Sequence, residues 1–574
     1  MKRMRPDLNT GNTIKQEKNV ISAWLLSGLF GVLSGLFFVL GYQLENNDCI
    51  NLSDRNAMLT MLCMMIIITV DTRYVWRNYD AQRQGAKLFG LFQTNVAKEP
   101  GGVIETSPFT SADYLTTWGA LALMNLPVLL AEFPGFFVYD AQDELNEVLT
   151  RSFSTHHPLL HVLLLGGIIA FVHKATGSWN LGIFTYIVFQ MLIITAIFAY
   201  TLMYLHKRGI GKRSRILWTL YYGLFPTIVM YTLCSSKDGL FSAFLLLLTV
   251  LLAQLTDDPA LFIQKKSRAA ALCITAFLMP CFRHNGFYAY LVFIPFGLIY
   301  LWKHVDTKKL FGKLSALLVI PVVAYLVFNS VLAAVFASEG THHQEMLTVP
   351  IMQMARVYKY DRQSMSQEDI DTLVSYIPEA NLEKYTERVS DLVKVDFNNE
   401  YYEQNKAGFW GLWWKLFKKH PMVYLNAWLL TSYGYVYPPA NINVYKGGTM
   451  FTFTYEHSSY FGYEVEQPGE RHSFIPVIDS LYRYLSIGTF HDDAKALYLL
   501  FSPGMMLLIY LFVLLYRLRI RDFKGIIPFL PMVLTFLTVL LGPTYLVRYV
   551  VYLWLCLPLL LCNRRLGAAP AKVV

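Results

Sequence analysis

Apolar residues fall in long runs along this chain, separated by short polar connections. Runs of roughly 17–25 apolar residues match the length a helix needs to cross a bilayer. They lie at 20–42, 56–73, 115–132, 181–205, 216–232, 240–256, 268–281, 287–302, 313–336, 497–516, 525–541 and 545–562. One more run, 159–172, is apolar but short, which suits a re-entrant or interfacial helix better than a span. The pattern predicts a polytopic α-helical membrane protein. It has about twelve transmembrane helices and one juxtamembrane helix after residue 158.

Between 337 and 496 the pattern changes. "SQEDIDTLVSYIPEA" predicts a short helix begun by Ser366 and stopped before Pro378. "FWGLWWKLFKKHP" places Trp410, Trp413, Trp414 and Phe417 at i, i+3, i+4 and i+7, an amphipathic helix suited to a membrane interface. "TMFTFTY" (449–455) alternates like a strand, and "YGYVYPPANINVYKGG" reads as an aromatic loop. The expected organisation is a transmembrane module at 1–336, a mixed extracytoplasmic domain at 337–496, and C-terminal transmembrane helices at 497–574.

Composition agrees with a membrane protein. The 574 residues are 55% hydrophobic and 16% charged, with a mean hydropathy of +0.37. Soluble domains carry about 25% charge. The net charge of +9 gives no reason to expect nucleic acid, because loops obeying the positive-inside rule account for it. Seven scattered cysteines with no C-x-x-C argue against a disulfide framework or a zinc site. The first apolar run, Val20 to Leu40, lacks a small-residue cleavage site, so a span rather than a cleaved leader is expected.

Charge then orients the spans. "HKRGIGKRSR" (206–215), "QKKSR" (264–268), "KHVDTKK" (303–309), "RLRIRDFK" (517–524) and "NRR" (563–565) follow apolar runs, and basic residues also flank the first two spans. If all face the cytoplasm, both termini are cytoplasmic and 133–157, 233–239, 282–286, 337–496 and 542–544 face outward. This requires that 159–172 not cross, since crossing would export "HKRGIGKRSR". The expected location is the plasma membrane.

The outward connections hold the candidate chemistry. "YDAQDELNEVLTRSFSTHHP" (139–158) carries Asp140, His156 and His157. "SSKDG" carries Lys237 and Asp238, "FRHNGF" carries Arg283, His284 and Asn285, and "GPTYLVRY" carries Arg548. Ionisable groups at membrane depth are functional candidates by default. Each also has a plainer reading. Asp140 could cap a helix, the histidines could sit in a first turn before Pro158, and Lys237 and Asp238 could form a local ion pair. Arg283 and Arg548 could snorkel to headgroups, and Asp143 with Glu147 could form a solvated i,i+4 face. Cations bind phosphate by charge-assisted hydrogen bonds, and a carboxylate can deprotonate an acceptor hydroxyl. The set fits group transfer from a lipid phosphate, and equally fits lipid-phosphate binding without catalysis.

At these residues the chain resembles the GT-C superfamily of integral-membrane glycosyltransferases, and looks closest to a bacterial branch of it. The resemblance is an ordered pattern along most of the chain. A span leads to an acidic first outer loop (Asp140), a His-Pro step into a short helix (His157-Pro158), a polar second loop (Lys237-Asp238) and a late outer domain. It departs in lacking a W-W-D motif, in reading Lys-Asp instead of D-x-E, and in its two extra leading spans.

The resemblance implies sugar transfer from a polyprenyl-phosphate donor to a cell-envelope glycan, lipid or teichoic-acid acceptor. Asp140 is the expected base and His156 or His157 orients a substrate. Lys237, Asp238, Arg283, His284, Asn285 and Arg548 are expected around the phosphate. No cofactor is required by the resemblance, and a divalent metal is left open. A transporter or flippase of a lipid-linked glycan is the alternative from another class.

Overall fold

The computed structural model describes residues 9–83, 109–138, 140–337, 343–442, 465–486 and 489–562. Their elements are helical, with isolated bridges in place of strands. Eight described helices are long and apolar enough to cross a membrane. The chain is a polytopic helical membrane protein, and the backbone's need for internal hydrogen bonding in lipid explains why its apolar runs become helices.

The first thirteen α-helices are α1 (Asn9–Asn47), α2 (Arg55–Arg83), α3 (Ser111–Ala131), α4 (Ala141–Thr150), α5 (Leu159–Thr176), α6 (Trp179–Lys207), α7 (Lys212–Leu224), α8 (Pro226–Thr232), α9 (Lys237–Asp257), α10 (Pro259–Gln264), α11 (Lys266–Leu278), α12 (His284–His304) and α13 (Lys308–Phe336). The expected count of about twelve spans is not reproduced as twelve continuous helices. Proline marks the break in four of the expected runs, and a fifth, 545–562, divides at the turn before Tyr552. The run 216–232 divides into α7 and α8 at Phe225–Pro226. The run 268–281 ends in a 3-10 turn containing Pro280. The last two runs form the shorter apolar helices Phe523–Val539 and Val547–Cys562. The run at 497–516 becomes a pair bent by 67° at Ser502.

The run at 159–172 also differs from expectation. As α5 it has 18 residues and is apolar enough to cross. It folds back along the first third of α6, with His173 stacked on Trp179 at 3.5 Å. Gly182 faces the Ile169 backbone so closely that a Cβ there would meet Ile169 O at 2.8 Å. The remainder of α6 runs beside α9, the most enclosed of the long apolar helices. The Gln190 amide donates to the Thr232 and Cys234 carbonyls near the start of α9. At its other end Tyr204 bonds Asp257 at 3.1 Å and Arg208 pairs with the same carboxylate at 3.1 Å.

The ends of α9 therefore have different characters. Its 21 residues separate Lys237 from Asp257 by about 30 Å at helical rise. Around Asp257 gather Arg208, Tyr300 of α12 through the Thr256 carbonyl, and the Lys524 carbonyl through the Thr256 hydroxyl. Two of the basic segments, 206–215 and 517–524, thus meet at one end of the bundle, beside the last turns of α12. Arg517 is buried there and donates to the Gly525 and Leu560 carbonyls, which makes it a structural tie.

At the Lys237 end, residues 343–442 build a helical layer with its own core, from Leu347 to Tyr424. Ser366 caps the helix Gln367–Tyr376 as expected. The layer sits on the α1–α2 turn through Arg356 to the Asp48 carbonyl and the Ile50 amide to Asn426. Its described residues are helical instead of mixed, and the strand expected at 449–455 lies outside the described residues. The aromatic stripe also splits. Trp410 and Trp414 are exposed, whereas Trp413 donates to Gln353 at 2.8 Å and stacks on Phe417.

Candidate functional site

Thr110 and Asp113 form a capping box that starts α3. After α3 the chain turns at Gly135, whose φ of +114° favours glycine. "FFV" then runs extended between two other segments. Phe136 exchanges backbone hydrogen bonds with Leu233 and Ser235, and the Phe137 carbonyl accepts from the Glu466 amide at 2.8 Å. These backbone bridges on both sides of the segment fix where α4 begins and deliver Asp140 to the start of α9.

Asp140 occupies the N-cap position of α4, yet its side chain makes no capping bond. It accepts from Lys237 Nζ at 2.7 Å and from Arg548 at 3.0 Å. Lys237 Nζ also donates to Glu144 at 3.4 Å and to His157 Nδ1 at 2.9 Å. Glu144 bonds His161 Nδ1, and His161 Nε2 meets the Tyr186 hydroxyl at 2.8 Å, which continues to Gln190. On the other side Arg548 Nε lies 3.4 Å from Asp238, and Arg283 pairs with the same carboxylate. The Tyr549 ring lies against both guanidinium groups, at 4.5 and 4.9 Å. Three carboxylates and three cations from four parts of the chain thus form one continuous, largely buried network.

Its electrostatics follow from that pairing. Burial pushes the Asp140 carboxyl up, but Arg548, Lys237 and His157 outweigh it and hold it well below the usual carboxylate range. Burial likewise opposes the ionised Glu144, and His161 and Lys237 overcome it, bringing it down to about 2. Burial and the adjacent ammonium push His157 down to about 3, so it is a neutral acceptor at pH 7. The cluster is an ionised, internally neutralised set before any substrate arrives.

Asp140, His157, Lys237, Asp238, Arg283 and Arg548 come together. His156 is exposed, its ring edge against His157. His284 and Asn285 point elsewhere: His284 bonds Tyr325 of α13 at 3.1 Å, and Asn285 donates to Thr538 at 3.0 Å. Asp143 is exposed, and Glu147 accepts from the Ser154 hydroxyl at 2.8 Å, closing the loop.

Sequence reasoning missed Glu144, His161, Tyr186 and Tyr549. A signal for two of them existed. Asp140 and Glu144 are spaced i,i+4, and so are His157 and His161, which puts each pair on one side of a helix. Gly166 completes the arrangement by letting α5 approach α4; a Cβ there would lie 2.5 Å from Val148.

Glu466 was missed too. It is buried, and its Oε1 has no hydrogen-bond partner among the described residues. Burial, with Asp143 and Asp140 adding to it, pushes its carboxyl up to about 9. The folded chain therefore keeps a proton that the unfolded chain releases above its ordinary value of 4.5. The stability this confers is fully present below about pH 4.5 and is lost as pH rises towards 9. Glu466→Gln, neutral at every pH, is expected to melt higher than wild type at pH 8, by a margin that shrinks at pH 5. Thermal unfolding in detergent at both values checks this; an equal margin at both would mean that Glu466 carries no such proton.

Asp140, Glu144 and His157 present ligand-type atoms within 4.8 Å of one another, a set that could hold a metal ion. Lys237 Nζ, however, bonds all three residues.

A family model described as a family of unknown function (DUF6020) matches residues 146–565, and the chain belongs to that family. The match includes His157, Lys237, Glu466 and Arg548, and begins just after Asp140 and Glu144. No curated protein and no solved structure matches the chain.

Proposed function

For this member of the family of unknown function, we propose a glycosyltransferase that moves a sugar from a polyprenyl-phosphate donor to a cell-envelope acceptor at the outer face of the membrane. The observation that carries the reading is the cluster of Asp140, Lys237, Asp238, Arg283 and Arg548 at the end of α9 away from the basic segments. By the positive-inside rule the basic end faces the cytoplasm, which puts the cluster near the outer headgroups and both termini inside. Its position at one end of the bundle supports surface chemistry over transport, for which a site at mid-depth is expected.

The reaction follows from the pairing. A lipid phosphate engages Lys237 and Arg548 in exchange for Asp140, and Arg283 offers a planar fork beside them. Asp140, released from its cations, regains proton affinity. It takes the proton of the acceptor hydroxyl as the acceptor oxygen bonds the sugar's anomeric carbon. The bond from that carbon to the phosphate oxygen breaks, and the polyprenyl phosphate leaves with the bonding pair, its charge stabilised by the cations. Donor binding thereby switches on the base.

The test is a transfer assay with a panel of polyprenyl-phosphate sugars on membranes containing the chain and a lipid or glycan extract as acceptor. Labelled product with one donor, absent for Asp140→Asn, is the expected result; no transfer from any donor with bound lipid crossing the membrane would favour a flippase. Orientation has its own check. A cysteine placed at Gly211, with native cysteines controlled for, is expected to resist a membrane-impermeant thiol reagent in intact cells, and efficient labelling would invert the arrangement.

A further inference from the structure

The Lys237 ammonium occupies a position with the ligand chemistry of a metal site. Asp140 Oδ2, Glu144 Oε1 and His157 Nδ1 surround its Nζ at 2.7, 3.4 and 2.9 Å. Two carboxylates and an imidazole form a common donor set for divalent ions. The imidazole Nδ1 lies 4.0 Å from each of the two carboxylate oxygens. Around a tetrahedral ion with bonds near 2.1 Å, ligand atoms sit about 3.4 Å apart; around an ammonium with hydrogen bonds near 2.8 Å they sit about 4.6 Å apart. The observed cage is wider than a metal shell.

Valence and charge agree with the lysine. An ammonium has three donors and no acceptor, and this one faces three acceptors. His157 Nδ1, facing only hydrogens, contributes a lone pair and carries its proton on Nε2. Arg548 already lies on Asp140 at 3.0 Å. One lysine and one arginine balance Asp140 and Glu144, whereas a divalent ion in the lysine's place would leave an excess positive charge in a buried site, which is costly. Lys237 stands in the first turn of α9 and is buried, with its Nζ already held by Asp140, Glu144 and His157.

We propose that Lys237 is the resident cation of this carboxylate–imidazole cage, that the chain holds no divalent metal there, and that removing the lysine uncovers a metal site. The proposal stands on the geometry of the cage and holds whatever reaction the cluster performs. It accounts for the open question of a metal by giving the cation's place to the chain itself.

The test uses the full chain in detergent, grown and purified in metal-replete medium. Elemental analysis of wild type is expected to find well under one equivalent of bound divalent metal, and its thermal midpoint should be unmoved by a chelator or by added Mn²⁺ or Zn²⁺. Lys237→Ala should bind about one equivalent of Mn²⁺ or Zn²⁺ and melt several degrees higher with the ion than without it. Adding Asp140→Asn to that variant should abolish both effects. If Lys237→Ala does not accumulate, Lys237→Met fills the volume without charge and takes the same titration. One equivalent of metal in wild type, lost in Asp140→Asn, would overturn the proposal; so would a folded lysine-free variant that binds neither ion.

Discussion

Asp140→Asn is expected to abolish most transfer while leaving donor binding intact or tighter. Removing a general base typically costs on the order of 10²–10⁴ in rate. The side chain keeps its size, and since the Asp140 carboxylate makes no capping bond to α4, no cap is lost. What changes is charge. Lys237 and Arg548 lose their shared carboxylate, so the cluster gains one net positive charge and a phosphate meets less competition. Turnover should fall at unchanged or lower KM, a split that a purely structural role would not produce. Asp143→Asn, three residues along and exposed, should stay near wild type. Initial rates and donor titrations at matched expression and thermal midpoint decide the matter. If Asp140→Asn turns over normally, the base lies elsewhere, with Asp238 next in line.

Glu144→Ala is expected to show the largest loss of stability in the cluster. Glu144 is buried and bonds both His161 and Lys237. Taking away one partner of a buried ionic network costs about 3–5 kcal/mol, because the remaining charge stays out of water. Asp143→Ala, adjacent in sequence but exposed, should fall within about 0.5 kcal/mol of wild type. Paired unfolding curves in detergent measure the contrast. Equal midpoints for the two variants would show that the Glu144 pairing contributes nothing to the fold.

The contrast between Asp143 and Glu144 also marks where sequence reading stops. Adjacent residues on a helix differ by about 100° in direction. Which one faces inward depends on what the helix packs against, and α4 packs against α5, whose Gly166 lies over Val148. The same holds for the broken spans. Composition marks 216–232, 268–281, 525–541 and 545–562 as apolar, but Pro226, Pro280, Pro528 and the turn before Tyr552 divide them into short pieces. The run at 159–172 read as short because His173 and Lys174 ended its apolar stretch; the helix continues to Thr176, where Gly177 takes the left-handed conformation.

The sequence by itself determined the class of molecule and the segments in which chemistry would be found. Apolar run length is a local property, and in lipid it admits helices almost without choice. Rare charges in apolar surroundings stand out for the same reason, which is why Asp140, Lys237, Arg283 and Arg548 could be named. Only the tertiary structure decided what those charges do to one another. Asp140 meets Lys237 across 97 residues of chain and Arg548 across 408. Whether a carboxylate caps its own helix or neutralises a distant lysine is settled by packing, because Coulomb energy depends on separation in space and on burial, and neither is written in the order of residues.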